Sequence, residues 1–154
     1  MTQTLERDND RQIPPDQLAI ERKIALIMAP AVGRGASDNR AAVLATGLAA
    51  KHPEIIGEGM TTADGHELLG FTKVPIVVLS AIEGIELREI AEKATKSGCT
   101  SLVFMTRAQG LRSYEAYRQS VSVSTAEELD VDACILFGPK KAVNRLVGSL
   151  PSLR

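Results

Sequence analysis

The chain has 154 residues, with 18 Lys+Arg against 19 Asp+Glu and 44% hydrophobic residues, which suits one globular domain and excludes disorder of the whole chain. Its longest charge-free runs, among them Ile24 to Gly33 and Ala41 to Ala50, are ten residues each, half the roughly 20 that cross a bilayer, so no membrane association is expected. A net charge of −1, with two Tyr, three Phe and no Trp, argues against a general polyanion binder and against a stacking platform for single-stranded bases; nucleic acid is not an expected partner.

Residues 1–21 are polar, contain Pro14-Pro15 and lack the apolar stretch of a signal peptide, so they are expected to form a flexible N-terminal arm on a cytoplasmic protein. From Lys23 onward short apolar runs alternate with amphipathic ones, and a single domain over 22–154 is expected. The run Ile24 to Ala29 reads as the first strand. The glycine-rich segment Gly33-Arg34-Gly35-Ala36-Ser37-Asp38 follows it, and Ser37 or Asp38 is placed to cap a helix reaching Ala50. Ala41, Leu44, Ala45 and Leu48 give that helix a core side, while Val43, Gly47 and Ala50 make its other side apolar too. A helix apolar nearly all round is either deeply buried or covered by another subunit, which suggests a two-fold homodimer.

Asp64-Gly65 marks a hairpin turn with arms at 58–62 and 67–71. A second strand over Val74 to Leu79 precedes a helix from Glu86 to Ser97, with Glu89/Lys93 and Glu92/Lys96 as surface pairs and Gly98 as its stop. A third strand over Thr100 to Met105 leads into Thr106-Arg107-Ala108-Gln109-Gly110 and a helix over 112–119. A fourth strand over Ala133 to Phe137 runs into a helix opened by Pro139 and ending near Val147. All four strands are apolar without alternation, as in strands covered on both faces. The fold class is therefore α/β: a three-layer α/β/α sandwich around a four-stranded sheet with a short added hairpin.

The chemistry-bearing residues gather after two strands. Where a strand passes through glycines into a helix, free amides face outward, and Gly33, Arg34, Gly35, Ser37, Asp38, Asn39 and Arg40 are candidates to hold a small polar or anionic ligand. Thr106, Arg107 and Tyr114 follow the third strand and are placed to face that loop. The alternative is a plain glycine turn before a capped helix, since the segment matches neither a dinucleotide fingerprint nor a phosphate loop. His52 and His66 have no ligand-forming partner at helical spacing, and Cys99 and Cys134 read as small buried hydrophobes, so no metal and no cofactor is expected.

Taken in order, these elements resemble the peptidyl-tRNA hydrolase II fold. Its Gly-Lys-Gly-Lys loop and Ala-rich helix are similar to Gly33-Arg34-Gly35-Ala36 and Ala41 to Ala50, and its last turn is similar to Phe137-Gly138-Pro139. A nearer likeness is to the domain-of-unknown-function two-thousand family. It rests on Lys23-Ile-Ala, on Asn39, Ala42, Leu44 and Gly47, and on His52-Pro53-Glu54-x-x-Gly57-Glu58. Ala63-Asp64-Gly65 and Gly138-Pro139-Lys140-x-Ala142-Val143 extend it. The resemblance implies a three-layer domain with a mixed sheet and no assigned activity. The hydrolase's second loop lysine corresponds to Ala36, and its Asp-Ala-Gly-Arg stretch is replaced by Thr106-Arg107-Ala108-Gln109, so its catalysis is not expected. Three functions follow: a module binding a small polar ligand, a hydrolase of an ester or amide on a peptidyl-tRNA-like substrate, and a ligand-free interaction subunit.

Overall fold

The computed structural model describes residues 15–154. Five helices, α1 (Pro15–Glu21), α2 (Arg34–Lys51), α3 (Leu87–Lys96), α4 (Tyr114–Ser122) and α5 (Lys140–Val147), accompany six strands. The strands are β1 (Arg22–Met28), β2 (Met60–Thr61), β3 (Glu67–Leu68), β4 (Ile76–Ser80), β5 (Thr100–Met105) and β6 (Val131–Pro139). Four form one sheet in the order β4-β1-β6-β5, with β1 and β4 parallel and the other two pairings antiparallel, and β2 and β3 form a separate hairpin. The chain is thus a mixed α/β structure with a mixed four-stranded sheet and a two-stranded one.

Side chains alternate across the two central strands and divide the core in two. Ala25, Ile27, Cys134 and Leu136 meet Leu87, Ile90 and Ala94 of α3 and Val143 and Val147 of α5. Ile24, Leu26, Met28, Ile135 and Phe137 meet Leu44 and Leu48 of α2 and Leu18 of α1. Helices therefore cover both faces. Only α1 departs from the expected loose arm: Pro15 starts it, where a missing N–H costs nothing, and burial of Leu18 holds it to the sheet. Residues 1–14 of that arm lie outside the described residues.

Several expected boundaries move for local reasons. Helix α2 begins at Arg34, not at Asp38, because Gly33 in extended conformation serves as N-cap and its carbonyl accepts from the Ser37 N–H; no side chain caps this end. Ser37 and Asp38 consequently sit inside the helix. Pro139 closes β6 and precedes α5 instead of opening it as a helical residue. Ser113 caps α4 by accepting from the Ala116 N–H, which delays its start to Tyr114. Strand β4 is not covered on both faces: Ile76 and Val78 share the α2 side yet are 38% and 37% exposed. It lies at the sheet edge, beyond the reach of α2, which packs on β5 and β6.

The expected hairpin forms with shorter arms, and Gly65 supplies the positive φ (+89°) of its turn. Past the second arm, Gly70 is required by close approach, since a Cβ there would overlap the carbonyl oxygen of Gly57. Helix α3 stops at Gly98 as expected (φ +78°). Glu89 and Lys93 pair across it at 3.9 Å, whereas Glu92 accepts from Arg88 at 2.8 Å in place of Lys96.

Candidate functional site

Strands β1 and β5 run in the same direction, each antiparallel to β6, so the segments that follow them emerge at the same end of the sheet. After β1 the chain enters α2; after β5 it turns through a 3₁₀ helix, Thr106–Gly110, before α4. A groove runs between them. Its polar half, about 500 Å³, is lined by Gly35, Ala36, Asn39, Arg40 and Gln109. Its apolar half, about 340 Å³, is lined by Val103, Leu111, Arg112, Ser113, Tyr114 and Tyr117. Val43, Phe104 and Ala108 line both halves, forming a common floor.

Arg40 organises the polar half. Its Nε donates to Asp132 Oδ1 at 2.8 Å and its Nη2 to Asp132 Oδ2 at 2.7 Å, a bidentate fork between α2 and the start of β6. Nη2 also donates to Gln109 Oε1 at 3.0 Å and Nη1 to the Ala36 carbonyl at 3.2 Å, while the guanidinium stands 4.6 Å over the Phe104 ring. These four bonds leave one of the five guanidinium N–H groups for a ligand. Residue Arg40 is only 2% exposed, yet the Asp132 hydrogen bond, against the cost of burial and with the help of the Asp132 charge, holds its pKa above the usual arginine value. Thr106 Oγ1 also donates to Asp132 Oδ2, at 2.9 Å, adding a second hold on that oxygen. Gln109 thus offers its amide N–H groups to the groove while its oxygen is occupied.

The ten expected ligand residues separate into groups. Arg40, Asn39, Gly35 and Tyr114 line the groove, with Arg40 as a buried scaffold more than a free cation. Gly33, Arg34 and Asp38 are exposed at the opening of α2 and do not line the groove. Ser37 is buried, its hydroxyl directed to the Val32 carbonyl at 3.4 Å. Thr106 acts through Asp132. Arg107 turns away: its N–H groups are taken by Asp130, Ser124 and the carbonyls of Ser120 and Glu128, tying α4 to the 126–130 segment. Sequence reasoning missed Asp132, Phe104 and Val43. An arginine aligned with the core residues Leu44 and Leu48 on one helix side does signal a buried partner, but not which acid supplies it.

A third hollow, about 510 Å³, opens at the far end of the strands among Ile20, Glu21, Arg22, Pro139, Lys140, Lys141 and Asn144 and contains none of the expected site residues. Both cysteines are free and buried, and burial pushes the Cys134 thiol up to about 12 and Cys99 in the same direction. Among the described residues no cluster of three or more His, Cys, Asp or Glu could hold a metal ion, and no helix is long and apolar enough to cross a membrane.

No curated protein matches the chain. A solved structure of a protein of unknown function from Agrobacterium tumefaciens strain C58 is similar over 87% of this chain and 98% of that one, with a TM-score of 0.77 and 23% identity, a likeness of fold. A family model described as protein of unknown function (DUF2000) matches residues 22–154, which covers β1 through the end of the chain. With the match running through every element that builds the groove, the chain belongs to the DUF2000 family.

Proposed function

We propose that this protein binds a small polar ligand in the groove between α2 and the 3₁₀ helix after β5. The observation that carries the reading is the continuity of a polar half with an apolar half over a shared floor of Val43, Phe104 and Ala108. Because Asp132 neutralises Arg40, recognition at the polar end falls to the Asn39 and Gln109 amides and the one remaining Arg40 N–H. Arg112 lines the apolar half and adds a cation at its rim. The chemistry fits a ligand with a hydrogen-bonding head and a flat apolar body that lies against Leu111, Tyr114 and Tyr117.

The same reading takes the sandwich as peptidyl-tRNA hydrolase II-like in architecture, without that enzyme's catalysis, since Ala36 offers no proton-transfer group where the loop lysine would stand. It also takes the protein as cytoplasmic and two-fold dimeric. The side of α2 away from the groove lining, where Ala42, Thr46 and Ala50 are exposed, supports a contact between copies.

Benzamide and benzoate, which share a flat ring but differ in head charge, test the groove by NMR. At least one is expected to shift the side-chain amide signals of Asn39 and Gln109 together with the backbone amide signals of Ala108 and Leu111, and N39A together with Q109A to abolish the backbone shifts with little change in melting temperature. Groove signals unmoved by either probe at millimolar concentration would refute the reading.

A further inference from the structure

At the opposite end of the strands, where α2 ends, three side chains stand in a row. His52 follows the last residue of α2, and its backbone N–H donates to the Leu48 carbonyl at 2.8 Å, which fixes where the ring begins. The Nδ1 atom lies 2.8 Å from Glu54 Oε1, and Nε2 lies 2.7 Å from Thr100 Oγ1, on the first residue of β5. The Phe137 ring meets the imidazole edge-on at 4.8 Å and restricts its rotation.

The hydrogen-bond inventory sets the polarity of this row. An ionised carboxylate only accepts, so Nδ1 carries the proton of the neutral ring and Nε2 presents its lone pair. The Thr100 hydroxyl then donates to Nε2. A carboxylate that fixes the tautomer, an imidazole that accepts, and a hydroxyl that surrenders its proton are the three parts of an activated oxygen nucleophile. Glu54 stays charged to fill its part. Partial burial works against its ionisation, but hydrogen bonds from its own backbone N–H and from the neutral His52 ring, with the charge of Arg22, hold it below the usual carboxylate range.

The row is open to a reactant. The His52 side chain is 21% exposed and that of Glu54 54%, and Thr100 is half-buried. Among the described residues strand β5 is a sheet edge, bonded only to β6, so every second backbone N–H along it points away from the sheet. Of the two successive residues Thr100 and Ser101, one carries such an outward N–H, a donor open to a group bound along the edge. Arg22 forms no ion pair among the described residues and lies near enough for its charge to act on Glu54 and Cys99.

We propose that Thr100 is the nucleophile of an acyl-transfer site, with His52 as its general base and Glu54 as the positioning residue, acting on a carboxylic ester whose acyl chain lies along the open edge of β5. In the first step Thr100 Oγ bonds to the acyl carbon, its proton passes to His52 Nε2, and the alcohol departs with that proton. In the second, water attacks the acyl-threonine, giving one proton to His52 and then to Thr100 Oγ as the carboxylic acid leaves. The net reaction is ester plus water to acid plus alcohol.

A fluorophosphonate reagent tests the proposal on the native full-length chain. Thr100 Oγ would bond to phosphorus as fluoride leaves and the proton passes through His52 to solvent. Peptide mass mapping should place one adduct on Thr100, and T100S should label at least as fast as the native chain. H52Q and E54Q should each slow labelling about tenfold or more, with the E54Q rate responding differently to pH, while T95V, which removes another threonine hydroxyl close to β5, leaves it unchanged. No adduct on Thr100 in the folded native protein, or an adduct formed equally fast in H52Q, overturns the assignment. The native chain decides the first outcome, so a variant that fails to fold does not obscure it.

Discussion

The two faces of the sheet are built on different principles. On one, α3 and α5 place Leu87, Ile90, Ala94, Val143 and Val147 in a continuous apolar layer over Ala25, Ile27, Cys134 and Leu136. On the other, α2 contributes two leucines, a buried serine and a buried arginine to the interface, and leaves Ile76 and Val78 of the edge strand partly uncovered. The first face is held by packing that any well-shaped apolar set would give. The second is held partly by a charge pair whose value depends on having both members present. Both the groove and the His52 row lie on this second, incompletely covered face, where polar groups reach the surface.

Deleting packing from the closed face should have the largest effect. Ile27→Ala removes a fully buried side chain and should cost about 4 kcal/mol in urea unfolding, with no dependence on salt. Asp132→Ala on the other face should cost about 3 kcal/mol by stranding a nearly sealed guanidinium, and adding Arg40→Met should recover much of that loss. If the double variant is as unstable as Asp132→Ala alone, the two faces do not differ in the way described.

Smaller effects sharpen the contrast. Ile76→Thr on the uncovered part of β4 should change stability by about 0.5 kcal/mol or less, because the side chain is already in contact with water and threonine keeps the β-branch. The smallest effect is expected from Glu54, and its sign follows from its lowered pKa. A carboxylate held below its ordinary value contributes stability above the unfolded value, 4.5, and loses it as pH falls through the folded one. Melting temperatures between pH 7 and pH 3 should therefore decline slightly less in Glu54→Gln than in the native chain. An unchanged decline would detach Glu54 from His52.

Much of this architecture is legible in the sequence where a local rule governs. The i, i+3, i+4 spacing of Leu87, Ile90, Ala91 and Ala94 with Gly98 behind it describes a helix that needs no partner to be recognised, and α3 occupies that span. The beginning of α2 is harder, because Ser37 and Asp38 have the chemistry of caps while the backbone of Gly33 takes the position. Strand β4 misleads for a different reason: Val74, Pro75, Ile76, Val77, Val78 and Leu79 read as doubly covered, but coverage depends on place in the sheet, which a run of apolar residues does not encode. The site shows the same division. That the segments after β1 and β5 meet follows from strand direction, whereas the join between Arg40 and Asp132 spans 92 positions and has no local signature. Likewise the His52–Glu54 contact is near in sequence, but Thr100 joins it only through folding.

The outer margin of β4 has its own safeguard. Beyond α5 the chain returns along this strand: the Ser80 N–H donates to the Pro151 carbonyl at 2.9 Å, the Leu153 N–H donates to the Val78 carbonyl at 3.0 Å, and Leu79 and Ser152 form an antiparallel bridge. Those few residues occupy groups that would otherwise be a template for strands of other molecules. Loss of the last four residues, Pro151 to Arg154, would uncover an apolar, β-branched margin while leaving Leu150 in the core. Its consequence would be self-association through edge pairing, seen as concentration-dependent precipitation at temperatures well below unfolding. This short return is thus a solubility device, and its removal would shorten the time the protein survives in concentrated solution more than it would lower its melting point.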